Sequence, residues 1–247
     1  MERIAHRCRD LFKKVMVFAE ARASRPGFVQ DVTMAEPVKE YLGTVSGDES
    51  RVVCLLGKPT TRAVLLAKAV NYFLVGEVLK ITAAGGFEDE VDACIGIGTA
   101  TARTASVIQT ATKRPEFADF SQQKARAHLL KLWGLIVPLT NDQRAGYGQT
   151  WTELAAIVSD AQTLAVDIFS LPLGYRMDFP QINDPFDPVT MVNRDSFIKG
   201  DPQALKNNGN RVGLAITPAI RIRELPGEES CLVYLAEVLL LPSPSGR

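Results

Sequence analysis

The sequence predicts a mainly α-helical globular domain with a small β-element near its C-terminus, and three observations predict it. Residues 59–82 (PTTRAVLLAKAVNYFLVGEVLKIT) form the longest apolar run that still carries helix formers and a helix start. Further helical stripes recur on either side of it. Residues 211–223 and 231–240, both rich in Val, Ile and Leu, flank the turn-forming Leu225, Pro226, Gly227 and Glu228, the pattern of a β-hairpin.

The central run reads as a buried helix. Pro59, Thr60 and Thr61 mark its start, threonine oxygens being able to accept from first-turn amides, and Gly85 and Gly86 mark its end. Ala63, Leu66, Ala67, Val70, Phe73, Leu74, Val78 and Ile81 fall on one stripe, and Val64, Leu65, Ala69, Val75 and Leu79 cover much of the remainder. Polar residues are spread round the cylinder, so the helix is expected to pack on more than one side. Lys68, Asn71, Glu77 and Lys80 interrupt it short of the roughly 20 apolar residues that a bilayer span needs.

The other elements follow in order. Residues 2–23 form an amphipathic helix with Ile4, Cys8, Leu11, Val15 and Phe18 inward and a basic outer face, read as solvated because Glu2, Asp10 and Glu20 dilute it. Residues 24–32 make a Pro-Gly loop, 36–42 a short helix behind Pro37, and 43–50 a polar turn; 52–56 fits strand or helix equally. Residues 85–92 form an acidic turn and 99–112 a helix. In 121–137, Asp119 supplies a cap with Gln122 three residues on, Ala125, Leu129, Leu132 and Ile136 face inward, and Pro138 closes the helix. Thr150 and Glu153 make a capping box for a helix running toward Pro172. Residues 171–210, with five prolines among Phe179, Phe186 and Phe197, are expected to hold short elements pinned across the helices by those aromatics. The organisation is thus one helical domain over 1–247, with a β-element at 210–241 packed on it and a frayed tail at 242–247.

Composition bounds the function. With 46% hydrophobic residues in 247 the chain can bury a sizeable core, and 28 basic against 28 acidic side chains leave no global field for nucleic acid or an anionic membrane. Cys8, Cys54, Cys94 and Cys231 stand far apart and read as reduced thiols, and no secretion signal is evident, so a cytoplasmic or nuclear setting is expected.

No motif rises to a catalytic, cofactor or metal site. Gly57 and Lys58 before a helix suggest a phosphate loop, but Val52 replaces its first glycine and Pro59 its hydroxyl residue. Gly96, Ile97 and Gly98 lack the third glycine of a dinucleotide fingerprint, and Gly43 to Gly47 is G-x-x-S-G rather than a nucleophile elbow. His6 and His128 have no paired Ser or Cys motif, and Trp133 and Trp151 read as core-edge residues. Glu88, Asp89, Glu90 and Asp92 lack the alternation of a calcium loop.

Arg62, Ala63, Ala67, Lys68, Tyr72 and Phe73, set beside Val212, Leu214, Ile216, Thr217, Pro218, Gly227 and Glu228, resemble a group of filamentous-fungal proteins. Those share an R-A-x-x-x-A-R/K helix and a late V-x-L-x-V-T-P segment ending in a G-E turn, though Val70 stands here where that group has a tryptophan. The resemblance covers about residues 60–240 and implies no activity, cofactor or site residue. The expectation is therefore a non-enzymatic intracellular protein-interaction or regulatory module. The alternatives are a small-molecule enzyme built from scattered residues and a nucleic-acid-associated domain. Residues 232–241, apolar with Glu237 as their one charge, are expected to be covered, by this chain or by a partner or second copy adding to the sheet.

Overall fold

Helix α4 (Pro59–Phe73) is buried on nearly every side, including at Arg62, Lys68 and Asn71. In the computed structural model, which describes residues 2–23, 34–95, 102–140, 147–223 and 229–242, it packs against α1 (Glu2–Ala23), α2 (Glu36–Ser46), α3 (Glu49–Leu56) and α7 (Pro115–Ile136). Ala63, Ala67 and Ala69, all but inaccessible, let these neighbours approach closely, while Leu65, Leu66, Val70 and Phe73 fill the space between them. Phe73 meets His128 of α7 edge to face at 6.3 Å.

The central helix is shorter than its apolar run. After Phe73 the backbone widens into a π turn (Leu74–Val78), closed by Leu79 N donating to Leu74 O at 2.7 Å, and a 3-10 turn (Ile81–Ala84) follows. The weak point is Gly76, which with β-branched Val75 and Val78 lowers helix propensity there, a breaker that the expected span to residue 82 passes over. Its start also differs: no side chain caps α4, and the Thr61 hydroxyl lies 2.7 Å from Leu55 O, donating to a carbonyl rather than accepting from an amide.

α1 docks as its pattern predicts, with Ile4, Cys8, Leu11, Val15 and Phe18 buried. Part of its basic face, however, meets α8 (Tyr147–Phe169), with ion pairs Arg7–Asp167, Lys14–Asp160 and Arg22–Glu153, while Arg3, Arg9 and Lys13 are exposed as expected. Acidic residues every seven positions on α8, met in reverse order by bases at nearly the same spacing on α1, fix the two helices antiparallel.

Several boundaries are corrected. The polar turn at 43–50 is instead the end of α2, stopped by Gly47 in the left-handed region (φ +83), and the start of α3, where Asp48 accepts from Ser50 N at 2.9 Å. The ambiguous 52–56 is helical. The acidic stretch begins α5 (Asp89–Ile95), carboxylates favouring a helix N-terminus, and α6 spans Ala102–Ala111. α7 starts at Pro115, in the first helical turn, so Asp119 lies inside it and caps nothing. α8 starts at Tyr147, through Gly148, so Thr150 and Glu153 sit within the helix and form no capping box; Glu153 is held by Arg22 at 2.6 Å.

The proline-rich stretch supplies the short strands β1 (Gly174–Asp178) and β2 (Met191–Asn193) and helix α9 (Pro202–Asn207). Phe179 stacks at 5.8 Å on Tyr72 and Phe186 is buried under the sheets, but Phe197 is exposed and pins nothing. The C-terminal hairpin runs antiparallel from Arg211↔Leu241 to Ile222↔Cys231, with register shifts between Val212 and Leu214 and between Ile220 and Arg221, and it is broken midway. The break divides it into β3 (Arg211–Ala215) with β6 (Ala236–Leu241) and β4 (Ala219–Arg223) with β5 (Cys231–Tyr234). Each half takes a third strand, giving sheets β1-β4-β5 and β2-β6-β3, with β2 parallel to β6. Pro218 lacks an amide for the ladder, and Asn71 Nδ2 of α4 donates to Ile216 O at 3.0 Å, anchoring the break on the central helix. The loop at 24–32, the start of the 99–112 segment, the Leu225–Glu228 turn and the tail beyond Pro242 lie outside the described residues.

Phe73→Ala is expected to destabilise by about 3–5 kcal/mol in urea titrations, through loss of a large buried side chain; a loss under about 1 kcal/mol would place Phe73 at the surface. Asn71→Ala should cost about 1–3 kcal/mol by leaving the Ile216 carbonyl unpaired, a value near zero showing that the hairpin break is held by other contacts.

Candidate functional site

Among the described residues β5 has β4 as its only strand neighbour. On β6 the equivalent flank is covered by β2, but β2 begins at Met191, and its last tie toward β5 is Thr190 O accepting from Ala236 N at 3.0 Å. Pro188 and Val189 lead in without pairing to β5, Val189 standing 69% exposed. The result is an open strand edge beside a groove of about 430 Å³, its apolar lining formed by Val189, Val192, Leu232, Val233 and Leu235. The covered segment expected at 232–241 is therefore covered along β6 by this chain itself and open along β5.

Arg9, Arg194, Tyr234 and Glu237 complete the groove and also line a cleft of about 530 Å³ between α1 and the sheets. Tyr234 is seated by Phe12 of α1, ring to ring at 5.4 Å. Arg194 Nη2 donates to Glu237 Oε1 at 2.8 Å, and the Tyr234 hydroxyl lies 3.4 Å from the same oxygen. Burial, with Glu237 beside it, pushes the Tyr234 phenol well above its ordinary range, so it remains a donor. Arg194 and Glu237 largely satisfy one another. Arg9, which lines both the groove and the cleft, and Lys13, which lines the cleft together with Glu20, are exposed on successive turns of α1 and have no ion-pair partner among the described residues.

The motifs weighed in the sequence are not brought together. Lys58 is the extended residue before α4, 2 residues after the end of α3. Ser46 is buried with its hydroxyl against the carbonyls of Leu42 and Asp48, at 2.8 and 2.9 Å, so it serves the α2 terminus. His6 pairs with Asp10, and His128, its pKa lowered by burial, lies against Phe73. Glu88 pairs with Arg114 and Asp92 accepts from Gly86 N at 2.7 Å. Trp133 and Trp151 pack edge to face at 5.4 Å. Cys8 and Cys94 are buried and Cys54 and Cys231 exposed, all free; burial pushes the Cys8 thiol up to about 12. Gly96, Ile97 and Gly98 lie outside the described residues. No helix among the described residues is long and apolar enough to cross a membrane.

Sequence reasoning missed two features. Arg194 and Val189 sit in the proline-rich stretch, where only the short run Met191, Val192 and Asn193 hints at a strand. Lys68, masked by its apolar surroundings, is 4% exposed, with Nζ 3.2 Å from the Phe179 ring centroid and 5.4 Å from that of Tyr72. No carboxylate among the described residues pairs with it, and desolvation lowers its pKa well below 10.5. Fold and site together define a helical domain in which β5 is paired on one side alone among the described residues and borders an apolar groove. Set against known families, curated proteins and solved structures, the chain matches none.

Because the Lys68 pKa is lower folded than unfolded, the unfolded chain binds the extra proton and stability rises with pH toward 10.5. Lys68→Met should therefore be more stable than the parent at pH 7, with the gap narrowing as pH approaches 10.5 in urea titrations. A variant less stable at pH 7, or a constant gap, would contradict the desolvated lysine.

Proposed function

We propose that the protein is a non-enzymatic interaction module of the cytoplasm or nucleus that takes an extended segment of a protein partner as an added strand beside β5. The open β5 edge over an apolar groove carries this reading. In strand addition the backbone ladder supplies affinity, and pockets for alternate side chains supply selectivity. β5 holds neither Pro nor Lys, two of the usual guards of an edge strand. β1, the other edge of its sheet, carries the exposed ion pair Arg176–Asp178 at 2.5 Å. Arg9 in the groove favours acidic residues in the incoming segment, and the Val and Leu lining favours apolar residues at alternate positions. Free thiols at the surface, Cys54 and Cys231, accord with a reducing compartment.

Panning a random peptide library on the full chain tests the reading. Enrichment should favour extended sequences alternating apolar residues with Asp or Glu, and Leu235→Lys, which charges an exposed position of the groove, should weaken the selected peptide by about tenfold or more. Selection of basic peptides, or binding indifferent to Leu235→Lys, would overturn it.

A further inference from the structure

A second cleft, of about 460 Å³, opens between α7, α8 and the end of α6 and shares no lining residue with the groove at β5. Its polar lining holds no cation, and Ser121, Gln122 and Ser159 in it can each donate or accept. The hydroxyls of Thr112, Thr163 and Ser170 already lie against backbone carbonyls of their own helices, at 2.9, 3.0 and 2.7 Å, so lone pairs are what they have left to offer. Gln162, 1% exposed, has its amide orientation set by Nε2 donating to Ala83 O at 2.9 Å, and its Oε1 is buried with no donor among the described residues. An orphan acceptor of this kind is costly unless something donates to it. Asp119 at the rim has no ion-pair partner among the described residues, and no Lys or Arg lines the cleft. Asp167, by contrast, is already held by Arg7.

We infer that this cleft binds a primary ammonium group carried on a short aliphatic chain. The ammonium has three donors and no acceptor, the complement of Gln162 Oε1 and the hydroxyl lone pairs; Asp119 supplies the countercharge, and Phe117 and Val166 face the methylenes. A free amine and a lysine side chain present the same chemistry. The inference is independent of the strand-addition reading.

Amide NMR titration of the full chain at low salt tests it, with diaminobutane as probe, butanediol as its uncharged counterpart and an Nα-acetyl-lysine amide as the side-chain form. Saturable shifts confined to α7 and α8 are expected with the diamine and not with the diol. Tighter binding of the diamine assigns a free amine, and tighter binding of the lysine amide assigns a protein lysine. Asp119→Asn should weaken binding about fivefold and Gln162→Leu about tenfold. If Gln162→Leu does not fold, the exposed Asp119→Asn decides. Equal binding of the diol, no saturable shift with either amine, or affinity unchanged in the folded variants would overturn the assignment.

Discussion

Burying α4 on all sides constrains everything around it, because the buried donors of Arg62, Lys68 and Asn71 must be met from neighbouring elements. Arg62 donates to Leu56 O through Nε and Nη2, at 3.1 and 2.9 Å, and to Ala23 O through Nη1 at 3.1 Å. One buried cation thus meets carbonyls at the C-terminal ends of α3 and α1, where the helix dipoles favour positive charge. About two and a half turns on, Asn71 holds the broken hairpin, and between them Lys68 lies against Phe179 of the segment that follows β1. The same helix therefore sets the positions of the first helix, the third helix and both sheets.

The hairpin break follows from that attachment. A straight two-stranded ribbon of this length would be marginal alone; here its midpoint is pulled onto α4, its halves diverge, and each half acquires a third strand from the proline-rich stretch. β2 is too short to follow both halves. It completes the ladder along β6 and stops, which leaves β5 with one side unpaired while α1, through Phe12, still covers its face. The open edge is in this sense a product of how the core is packed.

Much of the helical body was legible because periodicity reports burial directly: the inward residues of α1 and of α7 are those the 3.6-residue pattern picks out. Helix starts were less so. Asp119 and Thr150 have the spacing of caps, but Pro115 and Gly148 permit earlier starts, and tertiary pairing of Glu153 with Arg22 overrides the local signal. The heptad match between α1 and α8 lies in two segments over a hundred residues apart in the chain, so neither half reveals it alone. The hairpin strands were legible from their β-branched residues, but the break was not, since it needs Asn71 as well as Pro218. The open edge was only half legible: the apolar, weakly charged run at 232–241 marks it, while the strand that covers part of it comes from residues with little strand pattern of their own.

The core fixes β6 between two strands and leaves β5 paired on one side alone among the described residues. Residue-resolved amide exchange of the free protein tests this most directly, because exchange reports which backbone amides are held in a ladder. Amides of Val238 to Leu240 are expected to exchange at rates near those of global unfolding, while those of Cys231 to Leu235 that face away from β4 exchange far faster. Uniformly slow exchange through β5 and β6 alike would show the edge already occupied and would contradict the account.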